Sequence, residues 1–198
     1  MSDPRPDTER VPLSDAEMRA ATVGELLPLD SPILLAAYDP DWPRLFEREA
    51  ARLTRALVGR ALRIEHVGST SVPGLAAKPI IDIVLVVADS ADEQTYVPPL
   101  EAAGYVLRIR EPEWFEHRVF KGPDTNVNLH VFTSGCEEIE RMVGFRDWLR
   151  RNDADRELYE RSKRALAQRK WKYVQNYADA KTAIVEEIVA RALGGEGR

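Results

Sequence analysis

Residues 64–87 read IEHVGSTSVPGLAAKPIIDIVLVV, and this stretch contains the clearest pattern in the chain. Its second half, residues 80–87, has the density of β-branched residues that is typical of a buried strand. One acid, Asp82, interrupts the apolar run. A buried carboxylate is costly unless a cation or hydrogen-bond donors face it. The sequence therefore predicts a site around Asp82.

A polar loop precedes this strand and supplies groups that could face the carboxylate. It offers backbone N–H groups, the ammonium of Lys78 and the hydroxyls of Ser69, Thr70 and Ser71. Such groups bind a phosphate or, together with an acid, a metal ion. The loop does not match the usual phosphate-binding loop, because its two glycines lie one residue too far apart, and it contains no Gly-x-Ser-x-Gly nucleophile motif.

A second polar cluster lies on the strand predicted at residues 127–133. Strand alternation places Asn128 and His130 on one face, and buried polar side chains need partners. If this strand neighbours the one that carries Asp82, the three side chains converge. His130 would then be a metal ligand, a proton carrier or a hydrogen-bond partner of the acid. The competing interpretation is an Asp–His pair that only stabilises the core.

Three further polar residues are candidates. His66 lies at the end of a strand predicted at residues 62–67, beside the glycine-rich loop, and is predicted to line the site. His117 is expected to be exposed in a loop, and zinc is disfavoured because no paired His or Cys spacing occurs. Lys181 interrupts the apolar face of a helix predicted at residues 174–193, so it either snorkels to solvent or reaches an anion.

The composition bounds the class of protein. With 198 residues, of which 44% are hydrophobic and 31% charged, the chain can bury the core of one domain. The acidic, proline-rich residues 1–30 are predicted to form a flexible arm, and residues 31–198 the domain. No apolar run is long enough to cross a membrane and no signal segment is visible, so we expect a soluble, cytoplasmic protein without membrane contact.

Charge is unevenly distributed along the chain. The net charge is −5, yet residues 141–172 hold eleven Lys and Arg against five Asp and Glu. This excess either meets phosphates or forms solvated helix faces. Binding of duplex nucleic acid is not indicated, because the whole chain is acidic and no DNA-reading helix motif is present.

Hydrophobic periodicity predicts interleaved strands and helices. Strands are predicted at residues 33–37, 62–67, 80–87, 105–109, 118–121 and 127–133. Helices are predicted at residues 14–22, 42–58, 93–103, 137–151, 154–168 and 174–193. Asp41 is the predicted N-cap of the second helix and Ser14 that of the first.

These residues resemble the GrpB family. The signature is residues 64–83, and similarity continues through residues 38–42, 104–105, 128–131 and 145–150 and through Tyr177-x₃-Lys181, so it covers about residues 33–193. The resemblance implies the polymerase-β-like nucleotidyltransferase superfamily. Its fold is α/β (α+β), a mixed β-sheet flanked by helices, here with a helical C-terminal portion. In some bacteria such a domain is fused to dephospho-CoA kinase, which makes a kinase a candidate protein partner.

The superfamily pattern also implies a reaction. A Gly-Ser turn, two acids on the next strand and a third acid on a later strand bind two divalent metals and a nucleoside triphosphate. Gly68, Ser69 and Asp82 match the first half of this pattern. Val84 stands where the second acid is expected, and the later strand offers an amide and a histidine. Glu65 is an alternative acid, although strand alternation places it on the opposite face of the strand from His66.

The resemblance and the residue patterns together give a predicted site. Asp82, His130 and Lys78 are the candidate catalytic residues, and Asp82 is also the predicted ligand of Mg²⁺ or Mn²⁺. The candidate substrate-binding residues are Gly68, Ser69, Thr70, Ser71, His66, Asn128 and Lys181. The leading interpretation is a protein that binds a nucleotide or another phosphate-bearing metabolite, with metal-dependent transferase activity as its extension. The alternative is a non-catalytic nucleotide-sensing or partner-binding module with a degenerate active site.

Overall fold

Five strands form one mixed sheet in the computed structural model, which describes residues 12–195. They are β1 (Arg63–Val67), β2 (Ile81–Val87), β3 (Val106–Glu111), β4 (His117–Lys121) and β5 (Val127–Thr133). Their spatial order is β1-β2-β5-β4-β3, with β2 and β5 parallel and the other pairs antiparallel. The predicted α/β (α+β) class is confirmed. The boundary between the arm and the domain stays a prediction, and residues 1–11 and 196–198 lie outside the described residues.

Helices cover both faces of the sheet. Over residues 12–195 they are α1 (Asp15–Ala21), α2 (Trp42–Leu57), α3 (Glu93–Ala102), α4 (Glu137–Arg151), α5 (Asp153–Ala167), α6 (Val174–Asp179) and α7 (Thr182–Gly195). α2 and α3 pack on one face, and α4 packs on the other and is backed by α5 and α7. Within the same residues, no helix is long and apolar enough to span a bilayer.

The interior strand β2 is buried on both faces, which fixes its register. Ile81 and Ile83 pack beneath α2 and α3, whereas Val84 and Val86 pack against α4. Burying a side chain of this size contributes about 1.5–3 kcal/mol, and a slip of one residue would exchange the two faces. The register therefore also fixes Asp82 on the face that α4 covers.

The helix predicted at residues 174–193 is wrong in one respect, because it is broken into α6 and α7. At the end of α6 the N–H of Lys181 donates to the carbonyl of Ala178 at 3.1 Å, which is a tight i→i−3 bond. The carbonyl of Lys181 then accepts from Val185 at 3.0 Å in the first turn of α7. Lys181 therefore lies in a turn between two helices and not on the face of one.

A smaller prediction near residue 40 is also wrong. The segment 33–37 makes a single bridge, between Ala36 and Ala77, instead of a strand. Asp41 is the N-cap residue of α2 as predicted, but its side chain makes no capping bond, and its carboxylate accepts from Arg44 at 3.0 Å instead. Ser14, by contrast, caps α1 as predicted, in a full capping box with Glu17.

Arg146 ties α4 to the sheet edge next to the polar loop. Its Nη1 donates to Glu65 Oε2 at 2.6 Å and to the carbonyl of His66 at 2.9 Å. The guanidinium side chain is 9% exposed and that of Glu65 is 26% exposed. Since charge-assisted bonds in such surroundings are among the strong ones, this contact anchors the end of β1 where the polar loop begins.

Arg146→Met should lower the free energy of unfolding by about 2–3 kcal/mol, because Glu65 would keep its charge in a partly buried place without its main partner. The matched control is Arg161→Met on α5, whose side chain is 67% exposed and lies 3.7 Å from Glu157. That variant should lose less than about 0.5 kcal/mol. Urea unfolding of both variants checks this, and equal losses would contradict the anchoring role.

Candidate functional site

Asp82, Asn128 and His130 meet on one face of the sheet because β2 and β5 are parallel neighbours. The register places Asp82 beside Asn128. Asn128 Nδ2 donates to Asp82 Oδ1 at 2.7 Å, while its Oδ1 accepts from Lys121 Nζ at 2.5 Å. His130 Nε2 lies 3.9 Å from Asp82 Oδ1. The predicted convergence is present, and the catalytic roles of these residues stay predictions.

Asp82 is held as an anion. Its burial raises the pKa of the carboxyl group, but His130, the hydrogen bond from Asn128 and the charge of Lys181 outweigh this effect. The net result is a pKa below the usual 3.8. About a quarter of the side chain, 26%, stays exposed toward the cavity described below. Asp82 is thus a charged acceptor that the sheet supports and a ligand can reach.

Gly68 lets the loop pass directly over this carboxylate. Its φ is +68°, in the left-handed region that favours glycine. A Cβ built on Gly68 would overlap Asp82 Oδ2 and lie 3.0 Å from Asp82 Cβ and Cγ. Glycine is therefore required at this position for two reasons, the backbone conformation and the close approach to Asp82.

A cavity of about 440 Å³ opens over Asp82. Its walls come from the sheet, from the loop after β1, and from α4, α5 and the α6–α7 region. Lysine and arginine side chains outnumber acids in the lining. The cations are Lys78, Lys121, Lys163, Lys181, Arg108 and Arg141, and the acids are Asp82, Glu111, Glu138 and Asp179. Such a cavity suits a negatively charged ligand.

Lys163 of α5 is a candidate that the sequence patterns did not reveal. It is 2% exposed, and its Nζ donates to Ser69 Oγ at 3.0 Å and to the carbonyl of Ala76 at 2.5 Å. Burial, and then the charge of Lys181, lower the pKa of Lys163 to about 7. A signal was present, because Lys163 follows Tyr159 by four residues on the buried stripe of α5.

Lys78 and Lys181 flank the ring of Tyr177 in the same cavity. Their Nζ atoms lie 6.0 and 4.9 Å from the ring centroid. Burial, and then the charge of Lys181, lower the pKa of Lys78 to about 8. The Tyr177 hydroxyl is buried and has no hydrogen-bond partner among the described residues. Lys181 therefore contributes to the cavity, with its ammonium group beside the ring of Tyr177.

Two of the predicted substrate-binding residues, His66 and Ser71, bond the loop itself and not the cavity. His66 stacks on Phe46 with ring centroids 4.8 Å apart and bonds Thr70 Oγ1 through Nε2 at 3.1 Å. Its burial lowers the pKa of the imidazole to about 4. Ser71 Oγ donates to the carbonyl of Gly68 at 2.6 Å. Neither His66 nor Ser71 lines the cavity, whereas Gly68, Ser69 and Thr70 do.

His117 is buried, which corrects the expectation that it is exposed. It is 2% exposed because β4 begins at this residue and places the ring against Phe132, with centroids 4.6 Å apart. Its Nδ1 lies 2.7 Å from Glu111 Oε2 and its Nε2 lies 3.0 Å from His130 Nδ1. Glu111 and His117 thus join the site, and no spacing in the sequence indicates their pairing.

The donor set does not fit a metal ion that the protein holds by itself. Mg²⁺ takes oxygen ligands, and here Asn128 directs its oxygen to Lys121 and away from Asp82. Glu65, the alternative acid, is bonded to Arg63 and Arg146. Across residues 12–195 no three His, Cys, Asp or Glu side chains are grouped so that they could hold a metal. Binding of Mg²⁺ or Mn²⁺ stays a prediction, and it would require further oxygen ligands from the bound molecule.

Comparison with known proteins covers most of the chain. The model of the GrpB protein family matches residues 32–191. A UPF0157 protein of Halalkalibacterium halodurans is 65% identical over 181 residues, which cover 91% of this chain and 93% of that protein. The crystal structure of the conserved protein GrpB from Enterococcus faecalis matches with a TM-score of 0.72 and 33% identity, over 83% of this chain and 100% of that one. All residues that line the cavity fall inside the matched range.

A longer relative is similar over only part of its length. A dephospho-CoA kinase of Mycolicibacterium paratuberculosis is 31% identical over 188 residues, which cover 82% of this chain and 46% of that protein. The present chain thus corresponds to less than half of that kinase.

Gly68→Ala should destabilise the protein by about 2–4 kcal/mol, since left-handed backbone strain adds to the collision with Asp82. Gly59→Ala is the matched control, because Gly59 has φ +75° and no atom lies within 4 Å of the place that a Cβ would take. It should lose only about 1–2 kcal/mol from backbone strain. Urea unfolding measures both losses, and equal values would show that the approach to Asp82 is not tight.

Lys163→Met should flatten the dependence of stability on pH. Between the folded pKa of about 7 and the unfolded value of 10.5, the unfolded chain binds more protons at Lys163, so wild-type stability rises with pH in this window. Lys170→Met, at an exposed lysine outside the cavity, should keep that rise. Unfolding free energies at pH of about 7 and about 9.5 test this, and parallel wild-type and Lys163→Met curves would refute it.

Proposed function

The chain belongs to the GrpB family, and from this premise and the chemistry of the cavity we propose that it binds a nucleotide or a similar phosphate-bearing metabolite. One observation carries the proposal. Three lysines, Lys78, Lys163 and Lys181, line the same cavity beside the loop residue Ser69. The names UPF0157 and GrpB specify no ligand, so the support comes from this cluster.

The cluster is costly without an anion. Burial lowers the pKa of Lys78 and of Lys163, and the nearby charge of Lys181 lowers both further. Like charges that depress one another in a partly desolvated cavity are relieved when a multiply charged anion enters. Phosphate offers several strong acceptor oxygens for ammonium groups. The lysines therefore favour a phosphate group over a neutral ligand.

The cavity has room for more than inorganic phosphate. Its volume of about 440 Å³ falls in the range of small-molecule sites. Its lining includes Met142, Phe145 and Tyr159, and the rings of the last two meet edge to face with centroids 5.2 Å apart. Lys163 Nζ lies 4.9 Å from the centroid of the Tyr159 ring, so the apolar and cationic groups adjoin. This arrangement suits a ligand with a planar or apolar body and a phosphate.

Asp82 would face a different part of that ligand. An ionised carboxylate repels phosphate, but it accepts a hydrogen bond from a hydroxyl group. Lys181 lies close enough to lower the pKa of Asp82, so the two charged groups act on one bound molecule. We assign the phosphate to the lysines and Ser69, and a hydroxyl of the ligand to Asp82.

Transferase chemistry of the nucleotidyltransferase type is the extension of this proposal. The resemblance suggested it, yet Val84 is a core residue beneath α4 and the site has a histidine on β5 where a third acid is expected. Phosphate binding by lysines does not depend on those acids. No reaction step is therefore assigned to a metal.

A non-catalytic sensing module that acts with a kinase is the second candidate. It is favoured by the relative named dephospho-CoA kinase, of which this chain matches 46%. In that case the ligand would be a CoA precursor, which also carries a nucleotide and phosphates. The two candidates share the cavity and differ in whether the ligand is turned over.

A thermal-shift panel tests binding, with ATP, GTP, dephospho-CoA and inorganic phosphate, each with and without Mg²⁺. At about 100 times its Kd, a true ligand should raise the Tm by about 5–10 °C. Lys181→Met should abolish most of that shift, because it removes the charge shared by the cluster. Lys170→Met, at an exposed lysine outside the cavity, should keep the shift.

The outcomes separate the interpretations. If no phosphate-bearing compound stabilises the protein, or if Lys181→Met responds like the wild type, the proposal is wrong. If Asp82→Asn lowers the Tm of the free protein and leaves the ligand shift intact, Asp82 and His130 form only a core pair. Release of pyrophosphate from a bound triphosphate would identify a transferase, and binding without release would favour the sensing module.

A further inference from the structure

Four side chains form a continuous line through the sheet into the cavity. Glu111, His117, His130 and Asp82 lie on β3, β4, β5 and β2, which are successive neighbours in the sheet. The separations are 2.7 Å from Glu111 Oε2 to His117 Nδ1, 3.0 Å from His117 Nε2 to His130 Nδ1, and 3.9 Å from His130 Nε2 to Asp82 Oδ1. The binding proposal does not use the first two of these contacts.

Glu111 and His117 are less exposed than His130 and Asp82. The side chain of His117 is 3% exposed and that of Glu111 is 10% exposed, whereas that of His130 is 21% exposed. The rings of His117 and His130 stack with centroids 5.2 Å apart and planes 8° from parallel. His117 is thus fixed by packing, and His130 is the more exposed of the two imidazoles in the cavity lining.

The hydrogen-bond partners determine where the protons lie. A carboxylate only accepts, so Glu111 requires a proton on His117 Nδ1. A neutral His117 then has a lone pair on Nε2, and His130 must donate to it from Nδ1. A neutral His130 is left with a lone pair on Nε2. With both rings neutral, each step follows from the one before it, starting at Glu111.

Asp82 is not within hydrogen-bond distance of that nitrogen. The separation of 3.9 Å between His130 Nε2 and Asp82 Oδ1 is too long for a hydrogen bond. The same oxygen already accepts from Asn128 at 2.7 Å. By contrast, the 3.0 Å contact between the two imidazoles is within bonding distance. The tautomer of His130 is therefore set from the side of Glu111.

We infer that Glu111 and His117 are positioning residues that hold His130 in its Nδ1–H tautomer, so that its unprotonated Nε2 faces the cavity as a proton acceptor for a hydroxyl group of the bound ligand. The identity of that ligand rests on the proposed function, but the tautomer does not.

The proton transfer is balanced within the site. The proton leaves the oxygen of the ligand hydroxyl and binds His130 Nε2, and the oxygen keeps the electron pair of the broken O–H bond. The imidazolium keeps its Nδ1–H bond to His117, and its positive charge lies beside the Asp82 carboxylate. Return of the proton restores the resting state. This is the pattern of a general base whose ring is oriented by a second group.

Nuclear magnetic resonance of protein labelled with ¹⁵N in the histidine rings tests the tautomer directly, at a pH of about 8 where free histidine is neutral. We expect His117 and His130 to carry their protons on Nδ1. His66 is an internal reference of the opposite kind, because Thr70 Oγ1 donates to the carbonyl of Ile80 and so accepts from His66 Nε2–H. Single His→Gln variants assign the three rings.

Glu111→Gln tests the positioning role. The neutral amide can donate as well as accept, so the preference of His130 for Nδ1–H should fall by roughly tenfold. Glu93→Gln is the matched control, because Glu93 bonds Arg110 and Arg118 on the opposite face of the same two strands. It should leave the histidine spectrum unchanged.

A proton on Nε2 of neutral His130 in the wild type would overturn the inference. So would a His130 tautomer that does not respond to Glu111→Gln while the variant keeps the wild-type fold. If the variant does not fold, the wild-type spectrum alone decides. Failure of the phosphate panel with the expected tautomers would refute the proposed function and leave the positioning role intact.

Discussion

The architecture of the site depends on one charge placed in a buried strand. Asp82 lies in β2, whose other side chains are apolar. A hydrogen bond from Asn128 and nearby cations offset the free-energy cost of burying its charge. Asn128 is oriented for this by Lys121, which bonds the amide oxygen. Gly68 completes the arrangement, because its lack of a Cβ lets the loop lie against the carboxylate. The parallel pairing of β2 with β5 is what brings these groups together.

The second constraint is the clustering of lysines opposite this acid. Lys163 reaches the loop from α5, and Lys181 reaches the cavity from the turn between α6 and α7. Two separate helical segments thus deliver like charges to one desolvated place, which is unfavourable for folding alone. A fold that tolerates this cost is consistent with selection for an anionic ligand. The histidine pair on the sheet gives the same cavity a group that can accept a proton.

Much of the fold was predictable because local patterns decide it. β5 and α4 have the predicted bounds, and Asp82, Asn128 and His130 lie on one face as alternation requires. The break before α7 was not predictable, since the apolar period of Tyr177 and Ile188 continues across it. Lys163 was missed for a related reason. A lysine on a helix usually extends to solvent, and only the positions of Ser69 and of the Ala76 carbonyl explain why this one points inward.

The sequence by itself determined the elements, the loop with its glycine, and the acid that had to find partners. It could do so because periodicity and backbone preference act over a few neighbouring residues. Tertiary structure alone decided which partners the acid found. Strand order placed Glu111, His117 and His130 in line, and helix packing brought Lys163 to Ser69 across 94 positions of the chain. Such contacts depend on the geometry of the whole sheet, which no local pattern encodes.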